Sequence, residues 1–341
     1  MLEIQNRTPF EVALFPGLDK EGYDQATVLV KGTFDLRTRG PEPMVSEEQA
    51  KVTHGDQFHG DPETSSVKYE SDGGPAKAGT DVVLIGHAYT SRRAAGGFAD
   101  VGLAAGPLRK TVRVFGDRCW VRAAGSWEMS RPLAFERMPL VYERAFGGAD
   151  TSDPAATAHA YEQRNPVGTG FTTGKRAAQI DGLRLPNLED PLNLIENPGD
   201  KPAPAGFGFI GRSWLPRMAF AGTYDERWKA ERCPFLPLDF DDRHHRGAHP
   251  DLTAPYHFRG GEPVIVSNAS DAGEVRFNVP ARAVEVAVSI KGVAQHHRPA
   301  LDTIVIEPDA RRVVLSWRAT FRCPKTFLYI EAVRVREAKA A

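Results

Sequence analysis

Between residues 125 and 260 turn-forming residues recur every few positions, and no helical period runs beyond about two turns. That excludes a helix bundle and any alternating helix–strand fold. Apolar runs with strand character lie on either side of this stretch. Ala26–Phe34 is β-branched at Thr27, Val28, Val30 and Thr33, and Glu11–Phe15 precedes it, with Pro16-Gly17 read as the turn between them. Asp81–Tyr89 carries the continuous run Val82-Val83-Leu84-Ile85, the pattern of a strand buried on both faces. In Leu108–Val121, Thr111, Arg113 and Phe115 alternate with Val112 and Val114. Gly116-Asp117 then suits a two-residue type II′ turn, with Arg118–Val121 as the returning strand.

Regularity returns after residue 263. Val284, Val286, Val288 and Ile290 alternate with smaller or polar neighbours, as in a half-buried strand. Thr303–Ile306 and Arg312–Phe321 flank a Glu-Pro-Asp-Ala turn, and Phe327–Arg336 reads as a last strand. Residues 40–80 read as a long polar excursion and 91–107 as loose, while Ala155–Arg164 and Asp225–Arg232 are the short helix candidates. The expected fold is therefore mainly β. Its β-sandwich-like core comes from N- and C-terminal strands, with a long irregular middle and few short helices. The expected parts are 1–125, 126–262 and 263–341, compatible with one continuous domain.

The chain's balance of 43 basic against 44 acidic residues contains no block of like charge, so nucleic-acid binding is not expected. Three cysteines without CxxC spacing read as reduced thiols of a cytoplasmic protein. No run approaches the roughly 18 apolar residues of a membrane span, so no membrane insertion is expected.

Motifs for catalysis fail on context. Gly206-Phe-Gly-Phe-Ile-Gly211 matches the dinucleotide fingerprint, but prolines at 202, 204 and 216 deny it the flanking strand and helix. Gly174-Lys175 lacks the glycine and hydroxyl of a phosphate loop, so no nucleotide cofactor is expected. Asp239, Asp241, His245 and His249 form the best metal-ligating candidate, and a metal-dependent hydrolase is the alternative reading. His245 and His249 would share a helical face, although Gly247 and Pro250 interrupt it. Lone carboxylates such as Glu143 and Asp225 fit ion pairs better than acid–base chemistry, and Glu143 beside Arg144 reads as such a pair.

The other recurrent texture is aromatic and arginine-rich. Met138–Gly148 combines Tyr142, Glu143, Arg144 and Phe146 before a double glycine, and Trp214, Arg217, Tyr224, Asp225 and Trp228 follow. Trp, Tyr and Arg anchor protein interfaces, and they also fill cores. For Met138–Gly148 the packing role is preferred, because its aromatic and glycine content suits a tightly packed hinge onto the irregular middle.

Several segments in order resemble a known bacterial family. They include Tyr69-Glu-Ser-Asp72, Pro75-Ala-Lys77, Thr80-Asp81, Gly116-Asp-Arg118, Met138–Gly148, Asn165-Pro-Val-Gly168 and Leu185-Pro-Asn-Leu-Glu189. Ala205-Gly-Phe-Gly208, Trp214, Pro216-Arg217, Ala221-Gly-Thr-Tyr-Asp225, Trp228 and Leu236–Asp241 continue the series. The chain resembles proteins, long labelled a domain of unknown function, that accompany type VI secretion effectors. The resemblance implies a cytoplasmic adaptor or chaperone that binds an effector or a PAAR-type spike-tip protein and helps load it onto the VgrG spike. It implies no catalytic residues, no cofactor and no metal. His244-His245 depart from the family's usual aromatic and polar pair, so no metal role is carried over. The residues of Met138–Gly148 and the Trp214–Trp228 series are the expected partner-binding or motif positions.

Overall fold

A computed structural model describes residues 2–37, 40–90, 97–153 and 159–338. The fold is mainly β, with several sheets and, among the described residues, two short α-helices, α1 (Ala177–Ile180) and α2 (Glu226–Glu231). The principal strands are β1 (Glu3–Arg7), β2 (Glu11–Leu18), β3 (Asp24–Asp35), β4 (Asp81–Leu84), β5 (Phe98–Ala105) and β6 (Leu108–Phe115). After the irregular middle come β7 (Pro263–Ser267), β8 (Val275–Asn278), β9 (Ala283–Ile290), β10 (Val293–His297), β11 (Ala300–Glu307), β12 (Arg312–Arg322) and β13 (Ile330–Ala338). Among the described residues, no helix is long and apolar enough to cross a membrane.

Three sheets carry the fold. The first runs β2–β3–β12–β11–β4, with Met44–Val45 paired onto β3. The second runs β6–β5–β7–β8 with Leu188–Glu189 at its edge, and the third runs β1–β13–β9–β10. Each therefore joins strands from the two ends of the chain. The longest pairing is β3 with β12, where Gln25 opposes Arg322 and Asp35 opposes Arg312.

Ala26–Phe34 is buried at every position, so β3 is covered on both faces. One face is apolar. Val28, Val30 and Phe34 lie across from Ala319, Trp317 and Val313, and Phe10 stacks on Trp317 at 5.7 Å. Gly32 makes room for that ring, since a Cβ there would stand 2.8 Å from Phe10. This face belongs to a core shared with Val112, Val264, Val286 and Val333 of the other sheets and with Leu140, Phe207 and Leu252 of the middle. β9 buries alternate residues, as its sequence period requires.

The opposite face of the first sheet is polar. Lys31, Ser316 and Arg318 project from it, and the segment 46–77 lies over it. A buried charge here must find a counter-charge. Lys31 Nζ bonds Asp72 (2.8 Å) and Thr53 (3.2 Å), and Arg318 is shared between Asp72 and Asp302. Lys77 meets Asp81 at 2.9 Å, and Arg246 of the middle reaches the same carboxylate at 3.1 Å. The excursion 40–80 stays largely at the surface, as at residues 59–64, but is pinned down by charge at Asp72 and Lys77.

Several local expectations need correction. β6 pairs with β5 through the turn at Gly106-Pro107, not with Arg118–Val121. Trp120–Ala123 instead forms its own hairpin with Ser126–Met129. Two competing returns were available, and only the one along β5 completes a sheet with β7. Part of the supposedly loose 91–107 is therefore a strand, while 91–96 lie outside the described residues. Pro16-Gly17 continues β2, and the turn falls at Asp19–Tyr23. A proline is tolerated there because β2 is an edge strand. Within the helix candidate Ala155–Arg164, residues 159–164 are not helical, and Tyr161 bridges Ala149 instead; 155–158 lie outside the described residues.

Arg318→Ala should cost about 3–5 kcal/mol, because it leaves Asp72 and Asp302 buried with too little counter-charge. Lys51→Ala, which removes an exposed partner of Glu11, should stay within about 0.5 kcal/mol. Urea unfolding of both variants measures the contrast.

Candidate partner-binding surface

The segment Met138–Gly148 is threaded through the interior. Arg137–Pro139 pairs with His87–Tyr89, Tyr142–Arg144 makes a single 3-10 turn, and Phe146–Gly147 pairs with Thr169–Gly170. Tyr142 is buried, with its ring edge-on to Trp214 at 5.9 Å. Gly206 abuts the same ring, where a Cβ would stand 2.7 Å away. Burial pushes the Tyr142 hydroxyl above its ordinary pKa. Asn165 Nδ2 donates to the carbonyls of Tyr142 (2.7 Å) and Phe146 (3.0 Å). Gly147 sits at φ +151° against the Asn165 carbonyl, where a side chain has no room.

Phe146 is buried with Trp120, Leu185 and Ile195 in a second, smaller core. Glu143 and Arg144 do not pair with each other, contrary to expectation. Adjacent residues of a 3-10 turn point apart. Glu143 accepts from Ser66 N (2.8 Å) and Oγ (2.6 Å), while Arg144 donates to Asn187 (2.9 Å). The segment thus anchors the middle to the core.

Trp214 and Arg217 are buried as well. The Arg217 guanidinium donates to Glu70 (2.7 Å) and to the carbonyls of Ile210 (2.7 Å) and His244 (3.0 Å). Arg212 adds a second contact to Glu70 at 3.1 Å. Burial pushes the Glu70 carboxyl up, but Arg217, then Lys77 and Arg212, outweigh it and hold the pKa down at about 2. No local pattern singles out Glu70, because its arginine partners lie 142 and 147 residues away along the chain.

Tyr224, Asp225 and Trp228 are placed differently. The Asp225 side chain caps α2 by accepting from Trp228 N at 2.8 Å. The cap holds Trp228 beside Tyr224, their rings 4.7 Å apart, and Trp228 Nε1 donates to the Phe235 carbonyl at 2.9 Å. Asp239 fixes the preceding turn by accepting from Thr223 N (3.0 Å) and Oγ1 (2.7 Å). The loop docks on the β2–β3 turn. There Arg232 donates to the Lys20 carbonyl (2.6 Å), Lys20 to the Phe240 carbonyl (2.8 Å), and Phe235 covers Gly22. On this rigid ledge Tyr224 is 53% exposed, Leu238 68%, and Tyr23 of the docked turn 59%. A groove of about 190 Å³ between Asp225, Trp228, Arg232 and Leu238 completes it.

Three of the four metal candidates serve the backbone or a neighbouring charge, and His245 packs on an aromatic ring. Asp239 is taken by Thr223. Asp241 caps the turn Asp242–His245 and grips Arg243, whose hydrogen bonds hold its carboxyl at about 2. His245 packs on Phe240, and burial, helped by His244 and Arg217, pushes its pKa down to about 4. His249 caps the next turn, Pro250–Leu252, and burial followed by Lys110 likewise lowers its pKa to about 4. The two imidazoles do not share a helix, because the backbone between these turns leaves helical geometry at Arg246–Ala248 to bring Gly247 N onto Asp81 at 2.8 Å. Among the described residues, no three His, Cys, Asp or Glu side chains are grouped to hold a metal ion.

Tyr142→Ala should lose about 3–5 kcal/mol of stability, measurable by thermal or urea unfolding. Glu70 has a folded pKa depressed from its ordinary 4.5 to about 2. Its contribution is therefore full above pH 4.5 and is lost as pH falls from there towards 2, by about 3 kcal/mol in all. Wild-type and Glu70→Gln unfolding free energies, followed between pH 6 and 2, should converge across that window. A wild-type curve parallel to that of the variant would contradict the assignment.

A family model described as "Uncharacterized protein conserved in bacteria (DUF2169)" matches residues 21–318, and the chain belongs to that bacterial family. No curated protein and no solved structure matches the chain. The expectation of a bacterial family is met at that level.

Proposed function

We propose that this member of the bacterial DUF2169 family is a non-catalytic cytoplasmic adaptor. It binds a type VI secretion effector or a PAAR-type spike-tip protein and helps to load it onto the VgrG spike. The client class comes from the resemblance described above. The observation that carries the binding role is the ledge on which Tyr224 and Leu238 are exposed beside the half-buried Trp228, held in place by a helix cap and by bonds to the β2–β3 turn. Apolar side chains displayed on a rigid support lose little conformational entropy when a partner covers them. Elsewhere the candidate groups for chemistry are engaged: Glu143, Asp225, Asp239 and Asp241 all accept hydrogen bonds within the fold. Release of a client would come from competition by another protein surface, which needs no nucleotide.

Co-expression with neighbouring spike-tip and effector genes, followed by affinity purification, tests the reading. The client should be recovered with the wild-type chain. Recovery should fall at least about tenfold with Tyr224→Ala/Trp228→Ala, as expected when interface aromatics are truncated. Tyr224→Ala alone, whose side chain is exposed, should lower recovery in the same direction with near-wild-type unfolding, whereas the double variant also loses the Trp228 bond to the Phe235 carbonyl. Client solubility and recovery that are identical without this protein would overturn the proposal.

A further inference from the structure

The outer edge of β1 has no strand beside it among the described residues, since β1 pairs only with β13. The edge of the first sheet is blunted by Pro16 within β2, and β8 of the second is met at Asn278 N by the Pro41 carbonyl at 2.5 Å. β1 has neither protection. Its sequence is Glu-Ile-Gln-Asn-Arg, and Asn6 closes the bend that follows it, its Nδ2 donating to the Phe10 carbonyl at 2.6 Å. Leu2 and Ile4, on the core side of the sheet, remain 44% and 42% exposed where the sheet stops.

The charges on the other face are unbalanced. Glu3, Gln5 and Arg7 share that face, and Gln5 accepts from Arg334 at 3.0 Å. Arg7 lies across from Arg336, a like charge that is itself committed to Glu285 at 2.7 Å. Among the described residues Arg7 has no carboxylate partner. Like charges directly opposite each other weaken a strand pair, so the free side of Arg7 calls for an anion.

We propose that β1 is a self-association edge whose partner is β1 of a second copy of this chain. In an antiparallel pair centred on Gln5, Glu3 of each copy falls opposite Arg7 of the other, and Gln5 meets Gln5. Both Arg7 side chains gain the missing carboxylate, and the two four-stranded sheets become one continuous sheet. The strand is short, so the interface is small and the dimer reversible.

Sedimentation velocity across a concentration series tests this with the full chain. The wild type should pass from monomer to dimer as concentration rises, less readily in high salt. Arg7→Glu sets two carboxylates against each other at both ends of the strand pair, while it gains Arg336 as a favourable neighbour within its own chain. The variant should therefore stay folded by thermal unfolding. It should weaken dimerisation at least about tenfold, since both symmetric pairs turn repulsive. Glu3→Arg should do the same, and the double exchange Glu3→Arg/Arg7→Glu should restore the dimer. A wild type that is monomeric at every soluble concentration overturns the proposal. So does a dimer that persists in Arg7→Glu, or one that the double exchange fails to restore.

Discussion

The buried ion pairs on the polar face of the first sheet are the constraint on which the rest depends. Lys31 and Arg318 stand on adjacent central strands whose other face is the apolar core. Neither cation can sit there unpaired, so Asp72 and Asp302 must be brought to them, and beside them the buried Lys77 is matched by Asp81. The demand draws together residues spread from 31 to 318. Arg246 adds the middle of the chain at Asp81, and Arg217 adds it again at Glu70. Such pairs contribute little net stability compared with apolar packing, but each forbids arrangements in which one partner is missing.

Buried and partly buried carboxylates also explain how the described part of the irregular middle is built with so little helix or strand. Its backbone donors need acceptors that secondary structure does not supply. Asp81 accepts from Gly247 N, Glu189 from Ile195 N and Asp239 from Thr223 N. Side chains therefore replace ladder hydrogen bonds, and the loops are set in defined positions. Such a scaffold can hold Tyr224 out to solvent against the half-buried Trp228 in one geometry, which the adaptor proposal requires.

Much of this was legible in local pattern. The period of two in Val284–Ile290 matches β9, the run Val82–Leu84 matches β4, and the helix candidate Asp225–Arg232 matches α2, where Asp225 serves as the cap rather than in an ion pair. Lys31 and Arg318, each inside a strand that is otherwise buried, also carried a signal, since a charge in such a run implies a partner. The partner's identity carried none. The misplaced hairpin at Gly116-Asp117 and the extended Pro16-Gly17 share a cause. Turn residues permit a reversal, and only the surrounding sheet decides whether one occurs.

Alone, the sequence determined the mainly β class, most strand positions and the broken character of the middle, because side-chain period and backbone propensity act over a few residues. Tertiary structure decided which strands neighbour each other and which aromatics are hidden. Tyr142 and Trp214 are as aromatic as Tyr224 and Trp228, yet the first pair is closed over by Gly206 and the core while the second stands on a capped ledge. Burial depends on what distant segments arrive to cover a residue, and the ion pairs across the first sheet set where those segments lie.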